Sequence, residues 1–186
     1  MRAIPCIFTR RNTITLLLLL TVAPAAFADK WFPAPPCIYA APSGRFGLKV
    51  IPDFAARADS PARAVLFTLD ETGREIVVWD KPLLNTPARV IVLDDGKHVV
   101  TIDTYQQFGG KHSLVIYGGQ GQVVADFKLE DLLTADEIEK NVPKNAAFRL
   151  WTEKADIRAL LDANRVEIVL AWGRTIKIDM GTGKIE

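Results

Sequence analysis

ARVIVLDDGKHVVTI, residues 88–102, is the stretch from which the fold can be read. Two runs rich in β-branched residues flank Asp94-Asp95-Gly96, and a glycine at that point supplies the positive φ of a tight turn at no steric cost. The segment predicts a strand, a turn and a second strand. The layout occurs twice more. CIYAAPSGRFGLKVI (37–51) turns at Gly44 and DIRALLDANRVEIVL (156–170) at Asn164, with Arg45, Lys97 or Arg165 closing the turn in each case. Asparagine tolerates positive φ better than most residues, so it is a permitted replacement.

Each of these hairpins is followed by another with its own glycine: LFTLDETGREIVVW at Gly73, LVIYGGQGQVVADF at Gly121 and TIKIDMGTGKIE at Gly183. The two turns of a unit lie 29, 25 and 19 residues apart because the loop between them shortens from Pro52–Arg63 to Asp103–Lys111 to little more than Trp172-Gly173-Arg174. Insertions confined to one corner of a repeated unit mark stacked meanders. The expected fold is therefore all-β, with repeated four-stranded antiparallel meanders at about 37–85, 88–128 and 155–186, the third ending at Glu186 as its last strand begins. One helical insertion is expected at 129–141, where Leu129, Leu132, Leu133 and Ile138 give a helical face and Thr134 with Glu137 fits a capping box. Residues 153–164 fit a helix or a strand, and the repeat alignment selects a strand.

Working outward, 49% hydrophobic and 24% charged residues are enough for a packed core and exclude a disordered chain. Arg2, Arg10 and Arg11 precede the uncharged run Thr13–Val22, and Ala26-Phe27-Ala28 ends in small residues, the layout of a cleaved signal peptide over 1–28. The run is half the length of about 20 residues that a spanning helix needs. The expected location is periplasmic or secreted. Removing the leader leaves 20 basic against 22 acidic residues, so nothing points to nucleic acid. Residues 29–36 (DKWFPAPP) form a proline-rich extended arm, and 37–186 a single β-rich domain. Cys6 leaves with the leader; Cys37 remains, without an intramolecular partner, and reads as a small buried hydrophobe.

The succession of strand, Asp/Ser-Gly-Arg/Lys turn, strand, loop, strand, glycine turn and strand resembles the blades of β-propellers of the TolB-like and WD40-like kind. More narrowly, VLDDGKHVVTIDTYQQFG followed by SLVIYGGQGQVV and FKLEDLL resembles a family of uncharacterised secreted bacterial proteins with such meanders. The resemblance implies a fold and no activity, since turn and core residues carry it. Propellers close with about four to eight blades. Two full units and one short one leave three options: an open partial propeller, a β-sandwich made from the same meanders, or closure by oligomerisation.

The catalytic motifs that can be sought are missing from this sequence. Ser43, Ser60 and Ser113 lie in no G-x-S-x-G or S-x-x-K. His98, just after a turn, and His112, opening a strand, read as solvated, and with Cys37 they do not make a zinc set. Asp94-Asp95-Gly96 lacks the spaced ligands of a calcium loop, and Gly181-Thr182-Gly183-Lys184 lacks the helix that a phosphate loop requires. Both read as turns. No cofactor or metal is expected. Trp79, Trp151 and Trp172 read as core or as packing between units.

The loop Asp103–His112 (DTYQQFGGKH) places Tyr105 and Phe108 among polar groups, as peptide and carbohydrate contact surfaces do, or else folds them over the sheet edge. Because corner loops of a meander share one end, the expected contact residues are Asp103, Tyr105, Phe108, His112 and Arg174, with Arg57 and Arg63 as further positive charge. The leading expectation is a non-catalytic binding or scaffolding module of the cell envelope, its partner an envelope protein or peptide, with oligomerisation allowed. The alternative is a hydrolytic enzyme built from scattered carboxylates such as Asp103 and Asp126.

Overall fold

The structure is a computed structural model describing residues 33–53, 60–145 and 148–186. The leader 1–28, residues 29–32 of the arm and Arg57 lie outside the described residues. The first meander is β1 (Cys37–Ala40), β2 (Phe46–Ile51), β3 (Arg63–Leu69) and β4 (Glu75–Pro82), paired antiparallel in sequence order. The second is β5 (Pro87–Val92), β6 (Val99–Thr104), β7 (Leu114–Tyr117) and β8 (Val123–Phe127). After it come α1 (Leu129–Leu132), α2 (Ala135–Asn141) and a small hairpin of β9 (Lys144–Asn145) and β10 (Phe148–Arg149). The third meander is β11 (Asp156–Leu160), β12 (Arg165–Val169) and β13 (Thr175–Asp179), with a fourth strand begun where Ile185 bridges back to Ile178.

The fold is thus mostly β, as the repeats predict. Gly44, Gly96 and Asn164 occupy the same turn of the three units and share positive φ, at 73°, 61° and 46°. The ambiguous stretch is strand β11, as the alignment demanded. α2 starts on the expected capping box: the Thr134 hydroxyl accepts from the Glu137 N–H, and the Glu137 carboxylate accepts from the Thr134 N–H at 3.0 Å.

How the sheets stack follows from β6 and β7, which are buried at every position. Their alternate residues enter two different apolar clusters, so the second sheet is covered by a sheet on both faces. Val99, Val115 and Tyr117 meet Leu48, Val50, Leu66 and Trp79 of the first sheet in one apolar cluster. Val100, Ile102, Leu114 and Ile116 meet Val166, Ile168, Ile176 and Ile178 of the third sheet, together with Trp151 and the leucines of α1, in another. The second sheet is the middle layer.

The turn glycines record the same order. A side chain at Gly96 would strike the Phe46 ring at 2.4 Å, and one at Gly121 would meet Lys81 at 2.9 Å and Trp79 at 3.1 Å, both on the first sheet. Gly183 of the third unit is pressed on Ala125 of the second, at 2.5 Å. Gly44 and Gly73, in the first unit, have open space where a Cβ would stand. Gly96, Gly121 and Gly183 thus lean on the sheet before their own, and the first sheet has none before it; Gly173, at the corner of the third unit, also has open space.

Candidate functional site

The corner loop between β6 and β7 begins at Asp103, which turns inward. It is 1% exposed and takes a left-handed φ of 55°, a conformation that disfavours a non-glycine residue by about 1 kcal/mol or more. Its Oδ1 accepts from the Gly109 N–H at 2.8 Å and from the Trp151 indole N–H at 2.9 Å. Burial pushes the carboxyl up to about 6, against the opposing pull of the Gly109 N–H, Trp151, the Thr152 hydroxyl and the Arg89 charge. The Asn85 amide, itself fully buried, donates to the Asp103 carbonyl at 3.3 Å and to the Thr104 hydroxyl at 2.7 Å. Asp103 fastens the corner to the segment after β10; in this conformation it is no surface anchor.

The far half of the loop is covered by the small hairpin. The Phe108 ring meets Phe148 edge to face with centroids 6.2 Å apart, and the Arg149 N–H donates to the Phe108 carbonyl at 3.1 Å. Gly109 sits so close beneath Arg149 that a Cβ would lie 2.5 Å from the Arg149 Cβ. Arg174, at the third corner, is half-buried and forms an ion pair with Glu137 of α2. The guanidinium, helped by the Thr134 N–H and hydroxyl, holds the Glu137 carboxyl down at about 2 although partial burial opposes it. The expected common surface of three corners is therefore divided: the insertion covers Phe108 and binds Arg174, and the first corner lies partly outside the described residues.

The histidines depart from expectation. Their side chains are 17% and 14% exposed rather than solvated, and each is drawn onto a carboxylate: His98 Nδ1 lies 2.6 Å from Asp95 and His112 Nδ1 lies 2.9 Å from Asp126. Burial pushes the Asp95 carboxyl up, but the Lys97 N–H, the His98 ring and the His98 N–H outweigh it and leave it lowered. Asp126 and Asp103, the carboxylates of the hydrolytic alternative, are thus engaged with different partners, His112 and Trp151. No group of three or more His, Cys, Asp or Glu converges among the described residues.

Tyr105 lines a cavity. Its N–H donates to the Thr86 carbonyl at 2.8 Å, and the Thr86 hydroxyl donates to the Ser60 carbonyl of the first corner at 3.2 Å. The ring thereby lines a cavity of about 280 Å³ beside Tyr39, Cys37, Val50, Pro52 and Pro87, where the first strands of two sheets come together. Cys37 is half-buried in this wall rather than enclosed in the core. Burial, with the adjacent Cys37 thiol adding to it, pushes the Tyr39 phenol above its ordinary value. An apolar wall with phenol, thiol and hydroxyl groups at hand suits a guest with an apolar body and a polar end.

Sequence reasoning finds Tyr105 and misses the rest of this cavity, since its wall comes from four separated segments. The two prolines mark only where strands end. No protein-family model matches the chain, and no curated protein and no solved structure is significantly similar to it.

Proposed function

We propose that the mature chain is a periplasmic or secreted, non-catalytic binding module of the cell envelope, which receives a side chain of an envelope protein or peptide in the cavity beside Tyr105. The observation that carries this reading is the pairing of Tyr39 and Tyr105 in an apolar cavity at the seam between two sheets. A volume of about 280 Å³ lies at the small end of ligand pockets, which run from about 300 to 1,000 Å³. It therefore suits one bulky side chain of a larger partner better than a whole cofactor. The carboxylates support the non-catalytic part, because none of Asp103, Asp126 and Glu137 lines this cavity and each is engaged elsewhere, with Trp151, His112 and Arg174.

Affinity capture from periplasmic extract, comparing wild type, Tyr105→Ala and the remote Arg158→Ala, tests the reading. The expected result is one partner retained by wild type and Arg158→Ala and lost by Tyr105→Ala, with the melting temperature of all three nearly equal. Equal capture by Tyr105→Ala overturns it.

A further inference from the structure

The edge of a sheet presents a row of backbone N–H and C=O groups that pairs readily with another strand, and proteins blunt such edges with charge, proline, bulges or brevity. Among the described residues the edge strands follow this rule with one departure. β4 ends in Asp80-Lys81-Pro82, and β5 begins at Pro87, carries Arg89 and skips Ala88 in its register with β6. β8, β11 and β13 carry Asp126, Arg158 and Lys177, and the strands of the small hairpin Lys144 and Arg149. β1, CIYA, has no charge, no proline and an unbroken register with β2. Only its brevity limits it. It is also the edge that borders the cavity, through Cys37 and Tyr39.

The direction of its free groups follows from the ladder. The Ala41 N–H donates to the Phe46 carbonyl at 2.8 Å, so the directly bonded pairs of this antiparallel ladder are Tyr39 with Leu48 and Cys37 with Val50. The N–H and C=O of Ile38 and Ala40 therefore point away from β2. Both residues are exposed, Ile38 at 65%, and no backbone pairing on that side of β1 occurs among the described residues.

We infer that the free edge of β1 takes an extended segment of the partner as an added strand, which sets an uncharged side chain into the cavity. This rests on the binding reading above and adds how the partner is held and what it must present. The added strand runs antiparallel, as every strand pair of the described residues does and as is slightly the more stable per residue. Partner residues facing Ile38 and Ala40 exchange hydrogen bonds with them. The residue between, opposite Tyr39, makes a non-hydrogen-bonded pair with Cα atoms about 4.5 Å apart, and its side chain shares the Tyr39 face. That face is the cavity wall. No charged residue is among those lining it, so a charged guest would give up its water with no counter-ion in return. Main-chain bonds thus supply the hold and the cavity the selectivity, the division of labour found wherever a peptide extends a sheet.

Selection of random ten-residue peptides displayed on phage, followed by titration of the best synthetic peptide, tests the inference. Ala40→Pro removes the N–H aimed at the partner and leaves the bonds between β1 and β2, a place where an edge strand admits proline. It should weaken the peptide about tenfold or more, with the melting temperature nearly unchanged. N-methylation along the peptide should weaken binding at every second residue, a signature read on the wild-type chain whatever Ala40→Pro does to folding. Between two sensitive positions the peptide should hold an uncharged residue whose replacement by Asp or Lys abolishes binding, as Tyr105→Ala in the chain does. A peptide that depends on Tyr105 but is indifferent to Ala40→Pro and to N-methylation overturns strand addition and leaves the cavity reading standing. One that depends on β1 and not on Tyr105 overturns the cavity reading and the guest assigned here. Selection of no peptide overturns both, and self-association of the chain that Ala40→Pro removes would give the edge to a second copy and overturn the inference.

Discussion

Gly44 and Gly96 make the same turn of the same repeat, yet the first meets nothing and the second lies under an aromatic ring. The difference is one of position in the stack. Gly96 belongs to a sheet clamped between two others, whereas Gly44 belongs to the sheet at the open end. Identical local chemistry thus serves two purposes: at Gly96 the missing side chain admits the neighbouring sheet, and at Gly44 it only permits the backbone turn. The same asymmetry separates β6 and β7, packed between two sheets, from β2 and β3, packed on another sheet on one face, although Val65 and Phe67 at the centre of the other face are buried too.

The most damaging way to break the comparison is at the closed side. Trp151 is fully buried where the second sheet, the third sheet and the insertion meet, so Trp151→Ala should lower stability by about 3–5 kcal/mol in urea denaturation. Gly96→Ala combines an unfavourable φ with a clash against Phe46, and should lose about 2–4 kcal/mol. Gly44→Ala carries only the φ penalty and should lose about 1 kcal/mol. Equal losses at the two glycines would show that the stack does not distinguish them.

Two carboxylates give the closed side a dependence on pH with opposite signs. Asp103, pushed up to about 6 by burial, holds its proton in the folded chain to a higher pH than it does unfolded, where its pKa is about 4. Its contribution makes stability rise as pH falls from about 6 to about 4, by up to about 3 kcal/mol, and Asp103→Asn should abolish that slope. Glu137 is held down at about 2 by Arg174. Its contribution is complete above about pH 4.5 and is lost as pH falls toward 2, and Arg174→Met should remove that loss. Thermal melts across pH 2–7 read both. The smallest effect belongs to the solvated end: Arg158→Ala, in an exposed pair, should leave the melting temperature nearly unchanged.

The meanders were legible because their signals are local: a turn residue at fixed spacing, flanked by alternating or continuous apolar runs, survives any change of tertiary context. The capping box at Thr134 and the glycine turns belong to this class. Which face of each sheet would be covered was not legible. Ile38, on edge strand β1, and Ile102, on central strand β6, are the same residue type, and place in the sheet together with the order of stacking exposes one and buries the other. The site was read in part for the same reason. Tyr105 stood out as an aromatic in a polar loop, but Asp103 looked like its polar companion when its actual partner, Trp151, lies 48 residues on. His112 and Asp126, 14 residues apart, meet only because they stand beside adjacent strands β7 and β8.

The account rests on a middle sheet clamped on both sides and a first sheet clamped on one, and amide hydrogen exchange compares them most directly. β2–β3 and β6–β7 are both central pairs of four-stranded sheets, so edge effects cancel. Measured by mass spectrometry, amides of Val99–Thr104 and Leu114–Tyr117 should exchange more slowly than those of Phe46–Ile51 and Arg63–Leu69. Equal or greater protection of the first sheet would contradict the stacking order.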